Sequence, residues 1–278
     1  ILYTMLAGLV SVAYTDVANG IIILISFVIA IPIFLVKAGG FEGMAISFAE
    51  MGKNDHMNFW GVYSGMDIIN FCLPSFLLIM GDANMYQRFF ASKDAKGAKS
   101  ATKTLIVAVL IAELMIIVAA WIASSMIPDA EVGKYVLIYA SHEFLPPLIG
   151  AIMMTTIVGI IISTADSYLL VPTTTLMRDI YLNYFNKNAD QAKIVFLSRV
   201  LVIVLGIIAY AVSLGFAKSA GFFERALYAY TIYGAAITPS LVAALFWKGA
   251  TKEGAIASIL VGTLTTLLWK ESSFIMNI

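Results

Sequence analysis

The feature that most constrains the fold of this chain is a succession of long apolar segments that contain almost no charged side chains. A helix that crosses a bilayer needs about 20 mostly apolar residues. Seven segments meet this requirement: Asp16–Val36, Phe59–Gly81, Thr104–Met126, Leu145–Tyr168, Ile194–Phe216, Phe222–Trp247 and Glu253–Trp269. The residues before Asp16 resemble the end of a preceding membrane helix.

The composition points to the same class of protein. The 278 residues are 61% hydrophobic and only 12% charged, with a mean hydropathy of +0.92, whereas soluble domains carry about 25% charged residues. Lipid offers the backbone no hydrogen-bond partners, so only helices and closed barrels cross it, and the alternation typical of barrel strands is absent. We therefore predict an all-α integral membrane protein whose surroundings are the lipid bilayer.

The charges exclude some partners and predict an orientation. Net charge is zero, which gives no indication of nucleic-acid binding, and the single Cys72 excludes a disulfide framework. Residues 88–103 hold five Lys or Arg and residues 178–199 hold four, whereas the connection between them has only Lys134. The positive-inside rule places the two basic connections in the cytoplasm, and we expect residues 89–103 to lie at the lipid surface.

Polar side chains inside an apolar segment need a reason, and the stretch IISTADSYLL (161–170) holds several. Ser163 and Thr164 offer two adjacent hydroxyl groups, which suit a hard cation. Small hydroxyl residues are equally typical of helix–helix packing in membranes. Asp166 follows one turn later, either as a hydrated acid or as a functional one. The residues alone leave these alternatives open.

The segment Phe59–Gly81 is the least regular of the seven. Asp67, Asn70 and Pro74 follow one another at i, i+3 and i+7, so they share a helix face. A proline within a span frees backbone carbonyl groups, and interrupted helices of this kind line solute sites in transporters. The alternative is a simple kink that neighbouring helices stabilise.

Four further residues have two readings each. Asp16 either caps its helix or has a functional role, and Glu113 needs a partner or a proton within the membrane. A structural and a transport role are both open for Glu113. Tyr230 and Tyr233, at i and i+3, form either part of an interfacial aromatic belt or a gating surface.

Four stretches together resemble the sodium/solute symporter family, whose members carry proline, pantothenate, sugars, choline and sialic acid. They are YTMLAGLVSVAYTDVANG (3–20), MGDANMYQRFFASKDAKGAK (80–99), STADS to MRDIY (163–181) and YGAAITPSLVAALFWKGATKEGA (233–255). The last stretch is most similar to the proline-symporter branch. This resemblance implies a leucine-transporter-type inverted-repeat fold.

The resemblance also implies how the fold is divided along the chain. Residues 1–278 form a single transmembrane transporter domain. Residues 1–37 correspond to the end of core helix 4 and to core helix 5, residues 59–247 to the second inverted repeat with core helices 6 to 10, and residues 253–269 to a flanking helix. Core helices 1 to 3 have no counterpart in these 278 residues.

Carried onto this sequence, the family's sodium site uses Ser163, Thr164 and the carbonyl group of Ile160, on core helix 8. The resemblance gives Asp16 a role at a second ion or on the exit path, which we extend to Asp166. Members that bind a second sodium ion have a hydroxyl group at the position of Ile160, which this chain lacks.

The resemblance places a solute-binding residue of core helix 6 near Ser75. The aromatic inner gate of the family corresponds to Leu78, which is not aromatic, so Tyr230 or Tyr233 is the expected replacement. The residues Asp67 and Asn70 complete the predicted solute-binding set.

The resemblance implies sodium-coupled symport of a small organic solute across the plasma membrane by alternating access, with Na⁺ as coupling ion. The solute is an amino acid, a carboxylate or a sugar. A solute sensor built on the same scaffold is the alternative. An intramembrane enzyme would use Ser163, Asp166 and His142. We predict no enzyme, because a GxSxG elbow is missing and His142 lies about 30 Å from Ser163 along a helix.

Overall fold

The computed structural model describes residues 2–129, 133, 135–216 and 222–276, and the side chains of residues 12–129, 133, 135–215 and 226–269. Within these ranges the regular structure is helical throughout, which confirms the all-α prediction. The α-helices are α1 (Leu2–Lys37), α2 (Gly40–Glu50), α3 (Gly65–Gly81), α4 (Ala83–Phe90), α5 (Ala95–Ser125), α6 (Val136–Glu143), α7 (Pro147–Thr174), α8 (Gln191–Phe216), α9 (Phe222–Ala236), α10 (Thr238–Phe246) and α11 (Lys252–Met276). A 3₁₀ turn covers Asn54–Met57, and a π-helix, Thr175–Phe185, continues α7.

Six helical segments of the described residues are long and apolar enough to cross a membrane. They are Val12–Lys37, Gly65–Phe90, Ala95–Ser125, Pro147–Phe185, Gln191–Gly215 and Ala226–Phe246. These six correspond in order to the first six predicted spans. The seventh predicted span lies within α11, which is helical but is not one of the six.

The boundaries differ from the prediction where a polar residue caps a helix. Helix α5 begins at Ala95 rather than at Thr104, because the Asp94 side chain accepts a hydrogen bond of 2.6 Å from the backbone N–H of Gly97. Such an N-cap satisfies a donor that the first turn would otherwise leave unpaired. Residues 95–103, predicted as a surface connector, are helical and continuous with the apolar part of α5, and their position at the lipid surface stays a prediction.

Helix α1 is longer than a bilayer requires. Its 36 residues correspond to about 54 Å at 1.5 Å per residue, whereas the hydrocarbon core is about 30 Å thick. The structure describes Leu2–Lys37 as one uninterrupted helix, including Pro32. The assignment of its first residues to the end of core helix 4 stays a prediction.

The chain divides into two compact units. The first contains Ile1–Val62 and Ser92–Ile208, so it holds α1, α2, α5, α6, α7 and the first part of α8. Helix α1 packs against both α7 and α5. The large side chains buried in its core are Phe27, Phe34, Met44, Phe48, Ile122 and Met153. Buried alanines at positions 30, 119 and 123 let the helices approach closely.

The second unit contains Tyr63–Ala91 and Ala209–Ile278. Here α9 packs against α3 on one side and against α11 on another. Glycines make both approaches possible. A Cβ atom added at Gly234 would lie 2.8 Å from Leu77 Cβ, and one added at Gly262 would lie 2.3 Å from the carbonyl oxygen of Ala235.

Candidate functional site

A short polar contact between α1 and α7 joins two residues that the sequence analysis selected separately. Ser163 Oγ donates a hydrogen bond of 2.5 Å to Asp16 Oδ1, and both side chains are half-buried. The two residues are 147 positions apart, so tertiary packing alone brings them together. A hydroxyl group has one proton and two lone pairs. Because its proton points to Asp16, the Ser163 oxygen keeps acceptor capacity for a cation.

The same interface carries two more polar contacts, and they show that α1 and α7 are antiparallel. Asn19 Nδ2 lies 3.5 Å from the carbonyl oxygen of Gly159, and Ser26 Oγ lies 2.8 Å from Thr156 Oγ1. As residue numbers rise on α1 they fall on α7. Sequence reasoning missed Asn19, although its spacing of i+3 from Asp16 places the two on one helix face.

The three predicted sodium ligands lie within a single turn of α7. Thr164 is exposed, and its Oγ1 donates a hydrogen bond of 3.0 Å to the carbonyl oxygen of Ile160. All three groups are hard oxygen donors, so their chemistry fits an alkali cation. An ion bound by both groups would use the remaining lone pairs of the Thr164 oxygen and of the Ile160 carbonyl oxygen. The assignment of Ile160, Ser163 and Thr164 as ligands stays a prediction.

Asp166 lies about one turn beyond Ser163 and is buried. Only 3% of its surface is exposed, and the neighbouring Ser167 is 9% exposed. The sequence analysis left a hydrated environment open for this acid, whereas the structure encloses the side chain within the protein. Its role on an ion path stays a prediction.

Asp67, predicted as a solute-binding residue, forms a capping box at the start of α3. Its Oδ2 accepts hydrogen bonds from the backbone N–H of Ser64 at 2.8 Å and from Ser64 Oγ at 2.7 Å, while Ser64 Oγ accepts the N–H of Asp67 at 3.2 Å. Helix α3 begins at Gly65 rather than at the predicted Phe59, so Asp67 is the third residue of the helix. Asp67 and the exposed Asn70 therefore belong to the first turns of the helix, and their solute-binding role stays a prediction.

The capping box predicts how substitutions of Asp67 behave. Asp67→Ala removes the two hydrogen bonds that the carboxylate accepts from Ser64 but keeps the backbone N–H that donates to Ser64 Oγ, and we expect a loss of about 0.3–1.5 kcal/mol of stability. Asp67→Glu introduces the residue that is preferred at this position of a capping box, so this variant should keep most of the stability. Thermal unfolding of the detergent-solubilised protein measures the difference. Equal midpoints for both variants would contradict a capping role.

The interruption in this span lies eight residues beyond the proline that suggested one. Helix α3 passes through Pro74 without a break and ends at Gly81, and α4 begins at Ala83. Between them, Asp82 caps α4 by accepting the N–H of Asn84 at 2.9 Å. The half-buried Ser75, also predicted to bind solute, lies within the continuous part of α3, where its Oγ is 3.4 Å from the carbonyl oxygen of Phe71.

The remaining predicted solute residues lie on α3 and α9, which pack together. Leu78 is half-buried in the last turn of α3. On α9, Tyr230 is half-buried, and the hydroxyl oxygen of Tyr233 accepts a hydrogen bond of 3.3 Å from the backbone N–H of Ala83. The structure thus joins Tyr233 directly to the interruption between α3 and α4.

The other polar residues of the sequence analysis lie apart from these contacts. Glu113 is exposed on α5. His142, in α6, lies 2.9 Å from the carboxylate of the adjacent Glu143. The described ranges contain no group of three or more His, Cys, Asp or Glu residues that could hold a metal ion. The predicted ion ligands are instead hydroxyl and carbonyl oxygens.

Comparison with known proteins gives a consistent picture. Residues 1–262 match the profile described as "Sodium:solute symporter family". The osmoregulated proline transporter of Bacillus subtilis (strain 168) is 27% identical over 276 residues, which cover 97% of this chain and 55% of that protein. The high-affinity proline transporter of the same organism is 28% identical, with coverage of 97% and 57%. The sodium/proline symporter of Escherichia coli (strain K12) is 23% identical, with coverage of 98% and 55%.

The chain spans about half the length of these relatives. Their names describe transporters rather than enzymes, and they name proline, not a sugar or a carboxylate. The six membrane-capable segments fit a multi-pass protein of the plasma membrane. Because the family profile matches nearly the whole length of the chain, the chain belongs to the sodium:solute symporter family.

Proposed function

We propose that this chain forms part of a symporter that uses Na⁺ to carry a small organic solute across the plasma membrane. The observation that carries the proposal is the hydrogen bond from Ser163 to Asp16 across the interface between α1 and α7. It places an acid beside the hydroxyl pair that the family resemblance assigns to sodium. The proline-transporter names of three relatives support the same activity.

In the proposed site, Ser163, Thr164 and the carbonyl of Ile160 are the ligands of Na⁺ on α7. The Asp16 carboxylate accepts the Ser163 proton, so it orients the hydroxyl with its lone pairs directed away from α1. The negative charge of Asp16 also attracts a cation that enters or leaves the site. Asp166, one turn further along α7, extends this acidic path.

The proposed driving force is the sodium gradient together with the membrane potential. Movement of one charge across the membrane releases about 2.3 kcal/mol per 100 mV. Sodium and solute each raise the affinity for the other, since linkage is reciprocal. The protein then alternates between states that open to opposite sides, and the ion carries the solute with it.

For the solute we propose proline or a related amino acid, bound near the interruption between α3 and α4. Ser75 and Leu78 approach it from α3, and Tyr230 and Tyr233 lie on the adjacent α9. Tyr233 is bound to the N–H of Ala83 through its oxygen, which leaves its own proton to donate to a carboxylate. Asn70 and Asp67 lie about three and four turns before the interruption along α3.

Uptake in vesicles tests the function. The complete protein is reconstituted into liposomes, and entry of radiolabelled proline is compared under an inward Na⁺ gradient and an equal K⁺ gradient. We expect uptake only with Na⁺, and a solute affinity that Na⁺ increases by about 5–150-fold. Equal uptake with both ions would contradict sodium coupling. Sodium-dependent binding without any uptake would instead favour a solute sensor.

A further inference from the structure

In the second compact unit, the interruption between α3 and α4 lies against the boundary between α9 and α10. The backbone is extended at Asp82, between α3 and α4, whereas α9 continues into α10 through Ile237, whose N–H donates a hydrogen bond of 2.9 Å to the carbonyl oxygen of Tyr233. Thr238, the first residue of α10, is 2% exposed. Its Oγ1 donates a hydrogen bond of 2.6 Å to the carbonyl oxygen of Leu77, 161 positions earlier in the chain. A side chain at the boundary between α9 and α10 thus bonds to the backbone of α3 just before its interruption.

This contact differs from those of other threonines in the same unit. Thr231 and Thr266 each donate to the carbonyl four residues earlier in their own helix, at 2.9 and 2.8 Å. Such bonds lie within one helix and do not connect it to another helix. Thr238 instead donates its hydroxyl proton to a carbonyl group of another helix. It does so in a buried environment, where an unsatisfied polar group is costly.

Glycines on both sides make the contact sterically possible. A Cβ atom at Gly81 would lie 2.3 Å from Thr238 Oγ1 and 3.3 Å from its Cα atom, and one at Gly234 would lie 2.8 Å from Leu77 Cβ. The helix ends therefore approach more closely than side chains allow. A second bond spans the same junction, from the N–H of Ala83 to the hydroxyl oxygen of Tyr233.

We propose that Thr238 is a positioning residue that links the interruption between α3 and α4 to the boundary between α9 and α10. The two helix pairs then move as one body, and Leu78 and Tyr233 keep a fixed geometry around the solute. The link to solute binding rests on the proposed function. The connection that Thr238 makes between the helices does not depend on the proposed function.

Hydrogen–deuterium exchange of the complete protein in lipid nanodiscs tests the tie without any transport. Thr238→Val keeps the shape of the side chain and removes its donor, whereas Thr238→Ser keeps the donor. We expect Thr238→Val to accelerate exchange in peptides covering residues 82–86 by about tenfold, equivalent to about 1.4 kcal/mol. Thr238→Ser should exchange like the parent protein. The matched control Thr266→Val, which loses only a bond within its own helix, should leave these peptides unchanged.

Uptake provides the second readout. Thr238→Val should raise the KM for proline by about tenfold, or about 1.4 kcal/mol, with Vmax reduced less, and Thr238→Ser should restore the KM. If Thr238→Val does not fold, Thr238→Ala takes its place in both measurements.

The two readouts separate the inference from the proposed function. Unchanged exchange in Thr238→Val, or equal acceleration in Thr238→Ser and Thr238→Val, would overturn the tie. A changed exchange with an unaltered KM would overturn the link to solute binding. If no variant and not even the parent protein takes up proline with sodium, the proposed function fails, while the exchange result still decides the tie.

Discussion

Replacing Ser163 by alanine is expected to raise the sodium concentration for half-maximal proline uptake by about tenfold or more. The substitution removes an oxygen ligand of the proposed ion. It also removes the hydroxyl group that donates a hydrogen bond of 2.5 Å to Asp16. A hydrogen bond to a charged group contributes about 1.5–3 kcal/mol, and each 1.4 kcal/mol corresponds to a factor of about ten. Uptake measured at several Na⁺ concentrations, normalised to the amount of protein in the membrane, gives the value.

Ser26→Ala is the matched control, because it deletes the same hydroxyl group from the same helix interface. Ser26 bonds to Thr156 at 2.8 Å, and both residues are buried, but neither is a predicted ion ligand. We expect this variant to lower the unfolding temperature and to leave the sodium dependence within about twofold, since hydrogen bonds between membrane helices contribute about 0.6 kcal/mol on average. A similar loss of sodium affinity in both variants would mean that Ser163 acts only through helix packing.

Replacing Gly262 by valine is expected to separate α11 from α9 and to lower the yield of folded protein severely. A Cβ atom at this position would lie 2.3 Å from the carbonyl oxygen of Ala235, 2.8 Å from its carbonyl carbon and 2.9 Å from Ala236 Cα. All three are backbone atoms, which cannot rotate away as a side chain does. Overpacking of this kind costs about 1–3 kcal/mol and sometimes more, so we expect a marked fall in the unfolding temperature.

Gly215→Val is the control for this substitution. Gly215 is exposed on α8, and no atom of the described residues would lie within 4 Å of a Cβ atom there. Both variants introduce the same side chain into a helix, so they share any effect on helix propensity. Fluorescence-detected size-exclusion chromatography and thermal unfolding in detergent compare them. Equal behaviour of the two variants would show that the approach of α11 to α9 is not a stability determinant.

The helical spans were predictable because hydropathy is a local property. A run of about 20 apolar residues has no alternative to a helix in lipid, and six of the seven predicted spans are confirmed as membrane-capable helices. Boundaries were less accurate, because a cap depends on one side chain and its geometry. Asp94 extends α5 by about two and a half turns, and the pair Ser64 and Asp67 starts α3 later than its apolar residues suggest.

Proline was a poor guide to the interruption. Pro32, Pro74 and Pro172 all lie inside continuous helices, since neighbouring groups in a membrane helix can satisfy the freed carbonyls. The break after α3 occurs at Asp82, where the side chain caps a new helix. The signal that could have found it is the sequence Gly81-Asp82-Ala83-Asn84, in which a flexible residue precedes a strong N-cap residue.

By itself, the sequence determined the helical class, the spans in the membrane and the family, because composition, apolar runs and motifs are all read along one chain. It also selected Asp16 and Ser163, but as members of separate helices. Only the tertiary structure decided that Ser163 bonds to Asp16 and that Thr238 bonds to Leu77, across 147 and 161 positions. The physical reason is that periodicity gives the face of a residue on its own helix, whereas a hydrogen bond requires two faces to meet within about 3 Å.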